Sequence, residues 1–193
     1  TNIEEADELG SAWETRATLI LWLSILVLIP FDLVTVDSQV TTNTGVDGAA
    51  MAKSGGQQEA PPVVLRILAL CQDSYLRDPG IVRDRAAFLL AKLLTRPDMP
   101  LALQKFLVWA TDALGGQSEY SEQEKMFIVP GIVRALAATF KLGKRSELLE
   151  VAERLWTNAR DLADSPAAKA STLTRKLACK LTQRIGLLFL KPR

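Results

Sequence analysis

The stretch from Trp13 to Asp32, W-E-T-R-A-T-L-I-L-W-L-S-I-L-V-L-I-P-F-D, limits what this chain can become more than any other. Between Leu19 and Ile29 the only polar side chain is Ser24, so a helix here is apolar all round and must be covered by neighbours or by lipid. Length decides between the two. A spanning helix needs about 20 apolar residues, and this run stops well short of that at Pro30, which lacks a backbone donor. It therefore reads as a core helix, with Trp13 and Trp22 expected to pack on a preceding repeat. The short acidic lead, N-I-E-E-A-D-E-L, carries no basic n-region, so the segment does not read as a signal peptide.

Downstream, apolar residues recur at helical spacing and no alternating run is bounded by hairpin residues, which predicts an all-α chain. Val64, Leu68, Cys71 and Tyr75 form one stripe behind Pro61 and Pro62. Asp78 and Pro79 are expected to cap and open a second helix whose buried face is Val82, Ala86, Leu89, Leu90 and Leu93. After Pro97 and Pro100 come Leu103, Phe106, Leu107, Ala110 and Leu114, closed by Gly115 and Gly116. Ser121 with Glu124 has capping-box spacing. The helix it starts is expected to be interrupted at Pro130 and to end at Gly143. Leu148, Ala152, Leu155, Ala159 and Leu162 mark the next helix. A last one opens at Ser165-Pro166 with Leu173, Leu177, Leu181, Ile185 and Leu188 behind it.

Each stripe is too narrow to be buried by one helix, whereas stacked antiparallel pairs bury them together. Helix starts near Pro62, Pro100 and Arg145 repeat at roughly 40 residues, the period of HEAT and armadillo repeats. The expected architecture is an α-solenoid of HEAT/armadillo-like helix pairs forming a right-handed superhelix segment. A globular helical bundle is the alternative. Residues 1–36 read as a helical segment ending a preceding repeat, 37–60 as a disordered insertion loop, and 61–193 as about three helix pairs of the same domain. The loop assignment rests on a Gly-, Ser- and Thr-rich composition without aromatic residues, too polar to offset chain entropy.

Composition narrows function mostly by exclusion. Twenty-three basic and 22 acidic residues leave a net charge of +1, which supplies no general pull towards nucleic acid or an anionic membrane. The chain has no histidine, which removes the usual general base and the commonest metal ligand. No phosphate-cradling glycine motif occurs, and no cofactor is expected. Cys71 and Cys179 sit in helical patterns and read as small buried apolar groups in a cytoplasmic protein. The paired carboxylates Glu122/Glu124 and Glu147/Glu150 lie at helix starts, where they complement the dipole. Lys141, Lys144 and Arg145 cluster at one corner and Arg85 faces outward, making these four the candidate partner-binding residues. The same corner charges also complement a helix C-terminus. Arg83 is expected in a ladder between repeats.

Several blocks resemble known proteins. Asp78-Pro79-x-x-Val82-Arg83-x-x-Ala86 resembles the start of the second helix of a HEAT repeat, where the Asp and Arg commonly pair with neighbouring repeats. The run W-E-T-R, L-W-L-S and L-I-P-F-D is similar to the tubulin-specific chaperone D (tubulin-folding cofactor D) family. The likeness continues through Tyr75-Leu76, Arg83 to Ala87, Thr95-Arg96-Pro97-Asp98, Phe140-Lys141, Gly143-Lys144-Arg145 and the closing Arg175 to Pro192 blocks. The resemblance implies a piece from the N-terminal half of a longer, non-enzymatic HEAT-repeat chaperone. Such a protein would bind β-tubulin, other tubulin-folding cofactors and an Arf-like small GTPase, and would work in the cytoplasm in association with microtubules or centrosomes. GTP hydrolysis would be stimulated on partners by the complex. A purely structural segment and a helical enzyme domain are the other functional readings.

Overall fold

The computed structural model describes residues 3–31, 33, 60–115 and 120–190, giving 3–11, 166 and 170 by their helical backbone alone. Among these residues the regular structure is entirely helical. Helix α1 spans Ile3–Leu26. Helix α2, Pro62–Leu70, runs into a π-helical turn, Cys71–Tyr75. Then follow α3 (Ile81–Leu94), α4 (Pro100–Leu114), α5 (Glu122–Leu142), α6 (Arg145–Asp164), the short α7 (Pro166–Ala170) and α8 (Thr172–Phe189). Most of the segment expected to be an insertion loop, 37–60, lies outside the described residues. Its last residue, Ala60, is buried.

The helices form two rows. In one, α1, α3, α5 and α8 each pack on the next; in the other, α2, α4 and α6 do the same. Across the rows, α4 meets α5, α6 meets α8, and the π-helical turn after α2 meets α3. Layered helix pairs of this kind are an all-α solenoid, in which each unit is buried by its neighbours along the stack. The starts at Pro62, Pro100 and Arg145 coincide with the expected repeat boundaries. Leu90, Leu93, Leu94, Phe106, Ile132 and Leu136 are completely buried between the rows. Each such side chain contributes about 1.5–3 kcal/mol relative to exposure.

Four local features bear on these expectations, and the last three correct them. First, α1 is not covered all round. Ala17, Ile20, Ser24 and Val27 are buried on the α3 side, while Leu19, Trp22, Ile25 and Leu26 stay open, because one described row neighbour can cover only one face. Ser24 is accommodated in the buried stripe because its hydroxyl donates to the Leu21 carbonyl at 2.6 Å. No described element covers Trp13 or Trp22. Second, α3 begins at Ile81, not at Pro79. Gly80, with φ of 75°, is its N-cap, and Asp78 instead meets Arg16 of α1 at 3.1 Å.

Third, α5 runs through Pro130 without a break. The amide that proline lacks would have bonded to Met126, which is exposed, so that carbonyl can be hydrated instead. The next residue, Gly131, lets the backbone of Leu76 approach so closely that a β-carbon there would clash with it. The capping box at the start of α5 is present, with Ser121 Oγ accepting from the Glu124 amide and the Glu124 carboxylate accepting from the Ser121 amide. Fourth, the final helix is split. Ser165 caps α7, and Ser171 caps α8 by accepting from the Thr174 amide. Thr174 is consequently buried where Leu173 was expected, and Leu173 is exposed.

Candidate interaction surface

Polar bridges run along the stack and fix one layer against the next. Arg16 joins α1 to Asp78, and Arg134 of α5 meets Asp84 of α3 at 2.6 and 2.8 Å. The Asp78 end of the HEAT-like motif thus pairs with a neighbouring layer. The Arg83 end does not: among the described residues the ladder runs through Asp84, and Arg83 makes no ion pair. Desolvation and the nearby Arg134 charge together push the Arg83 pKa down, against the opposing pull of Asp84. Its Nε is buried without a partner.

The strongest polar joint was not singled out by residue chemistry in the sequence. Arg96, just beyond α3, donates to the carbonyls of Val27, Ile29 and Phe31 at 2.5 to 2.8 Å. It also donates twice to Asp98, at 2.9 and 2.7 Å. One guanidinium therefore satisfies the carbonyls at the frayed end of α1 and holds the ends of α1 and α3 side by side. The hydrogen bonds from Arg96 hold the Asp98 carboxyl below its usual range, against a smaller desolvation effect. The only sequence signal was the Thr95-Arg96-Pro97-Asp98 block. An open cavity of about 580 Å³ lies here, lined by Leu28, Pro30, Phe31, Lys92 and Thr95 among others.

Along α3, Ile81, Arg85, Phe88 and Lys92 recur at spacings of four, three and four residues and form its outward stripe. Lys92 lies over the Phe88 ring at 5.5 Å, and Arg85 is exposed. At the corner between α5 and α6, Lys141 is exposed and Lys144 lies 3.5 Å from Glu147. Arg145 donates its Nε to the Leu188 carbonyl at 2.6 Å, fastening the start of α6 to the end of α8. Arg85 is not drawn into this corner. Asp84 aligns with Arg134, two turns before Lys141. The four candidate residues therefore occupy two places, three at the corner and one on the α3 stripe.

Among the described residues no three of His, Cys, Asp and Glu converge as metal ligands, and no helix is long and apolar enough to cross a membrane. Burial pushes the Cys71 thiol up to about 12, so it is protonated and unreactive. Cys179, expected to be buried as well, is instead exposed, because it lies beside the buried stripe of α8 formed by Leu177, Ala178 and Leu181. This arrangement offers shape, apolar surface and fixed charge.

The family model described as "Tubulin-specific chaperone D-like, ARM repeat" matches residues 2–114, over half of the chain. The chain belongs to that family. It is also 29% identical over 198 residues to tubulin-specific chaperone D of Dictyostelium discoideum, an alignment covering 98% of this chain. The chain spans 13% of that relative's length. No solved structure matches it. An ARM-repeat family fits the two-row helical stack on independent grounds, since stacking of helix pairs defines that architecture.

Proposed function

We propose that this chain is a scaffold segment of a tubulin-folding chaperone, capturing β-tubulin or a co-chaperone on the outward faces of its helix rows. The observation that carries the reading is the pairing of chaperone D family membership with a layered stack whose outward α3 stripe and α5–α6 corner present unburied cations. Residues 1–36 would close a preceding helix pair, 37–60 would be an insertion, and 61–193 would supply about three further pairs, with α7 as an insertion before α8. Binding by such a surface uses shape and charge and involves no catalytic side chain. Other tubulin-folding cofactors and an Arf-like small GTPase are the further partners this reading implies, and any stimulation of GTP hydrolysis would belong to the assembled complex. The expected compartment is the cytoplasm, at microtubules or centrosomes.

A purely structural role is favoured for one residue. Arg145 is spent on the Leu188 carbonyl, so its replacement should loosen the α6–α8 joint before it alters any partner contact. The test is a pull-down of β-tubulin by this chain, with Lys141→Glu/Lys144→Glu and Arg85→Glu as separate variants and Arg145→Glu as a stability control. Capture by the unmodified chain that is weakened by either charge reversal supports the reading. Absence of capture by the folded, unmodified chain overturns it in favour of a segment that only sets the curvature of the solenoid.

A further inference from the structure

Helix α8 has an unusual charge balance. Its 18 residues include Arg175, Lys176, Lys180 and Arg184 and no carboxylate, although α6, packed against it, carries five. Among the described residues none of these four cations forms an ion pair. Three of them share one stripe. Leu173, Lys176, Lys180, Arg184 and Leu187 follow spacings of three, four, four and three, which places them on a single side of the helix. Leu173 and Leu187 are 41% and 48% exposed, and Lys176 and Lys180 are exposed between them. Arg184 is half-buried, and its Nε is sequestered without an acceptor. The stripe is thus cationic in the middle and apolar at both ends, over about 21 Å at the α-helical rise.

We propose that this face of α8 docks an acidic amphipathic segment of a partner protein, one with carboxylates at its centre and apolar residues at its ends. Charge complementarity sets the centre of the contact, and the two leucines set its register. A nucleic acid would gain nothing from leucines at the ends of the stripe, and the chain's net charge of +1 offers it no wider field. The proposal concerns the chemistry of this face and does not depend on the tubulin reading.

The experiment uses a fluorescein-labelled peptide of about four helical turns, with glutamates at its centre and leucines at its ends, titrated with the 193-residue chain. Binding should weaken at least about tenfold in Lys176→Glu/Lys180→Glu, and by a similar factor between about 50 and 500 mM salt. It should be unchanged in Arg66→Glu, a control cation on α2. Leu173→Ser/Leu187→Ser should also weaken it. Should the charge reversal fail to fold by circular dichroism, Lys176→Gln/Lys180→Gln decides, with a smaller loss expected. No binding, equal binding by the double variant, or equal binding of a single-stranded oligonucleotide or a phosphatidylserine vesicle would overturn the proposal. So would self-association of the chain through this stripe in place of peptide capture.

Discussion

Replacing Gly131 or Gly186 with alanine makes the same chemical change in two long helices, and the structure assigns the two changes opposite signs. In a helix interior alanine is favoured over glycine by about 1 kcal/mol, because glycine loses more backbone freedom on folding. At Gly186 of α8 an added methyl meets nothing within 4 Å, so that gain stands alone. At Gly131 of α5 the methyl would meet the Leu76 backbone. Its nearest neighbour would be the Leu76 carbonyl oxygen, with the carbonyl carbon and Cβ of Leu76 both at 2.9 Å, inside the 3.4 Å limit of ordinary contact. Leu76 is fully buried and its amide is held by Cys71 at 2.9 Å, so it cannot swing aside as a surface side chain would. Overpacking of this kind costs about 1–3 kcal/mol, and against backbone the upper end applies. The expected net loss for Gly131→Ala is about 2 kcal/mol after the propensity gain. Thermal melts followed by far-UV circular dichroism should show Tm lower by roughly 4–8 °C for Gly131→Ala and higher by roughly 2–4 °C for Gly186→Ala. A Gly131→Ala protein that melts at or above the unmodified chain would refute the close approach of α5 to the π-helical turn.

Other expectations follow from the joints. Arg96→Gln should cost about 2–3 kcal/mol by leaving the α1 carbonyls and Asp98 without their charged donor, with faster amide exchange at Val27 to Phe31 as the local readout. Because Asp98 titrates lower when folded than unfolded, its contribution to stability is complete above the ordinary carboxylate pKa and is lost as the pH falls through the lowered one. Urea midpoints of the unmodified chain and Asp98→Asn should therefore begin to approach each other as the pH falls below about 4 and meet only below the lowered pKa. Ser121→Ala should destabilise by about 1 kcal/mol through loss of the α5 cap, read as a shift in urea midpoint at constant m-value. Cys179 should react with a thiol reagent at once and Cys71 only on unfolding, so biphasic kinetics with equal amplitudes are expected.

The layered helical plan was legible because prolines and caps mark where helices start and the apolar stripes mark which faces are shared. Pro62, Pro100 and Arg145 fall where the period put them, and Val82, Ala86, Leu89, Leu90 and Leu93 are buried as their spacing required. What failed was local inference that ignored the neighbouring layer. Pro130 looked like a break, yet α5 is continuous through it, with the freed carbonyl of Met126 at the exposed side of the helix. Asp78 looked like a cap, yet Arg16, 62 positions earlier, takes its carboxylate. Arg96 was unreadable for a different reason. Its acceptors are backbone carbonyls at the end of another helix, and no residue type in the sequence announces a free carbonyl. Of the candidate surface residues, Arg85 could be placed outward and Lys141 at a helix end, whereas the tie from Arg145 to Leu188 needed the fold.

The contact between Gly131 and Leu76 sits at one layer boundary, but its reach extends along the stack. A stack has no closing contact to correct an error, so a small tilt introduced between two layers is carried by every layer beyond, and displacement grows with distance from the pivot. A single methyl at that boundary would re-aim the distant end relative to the near one. The two ends would then present their faces at a new relative angle while each remained intact.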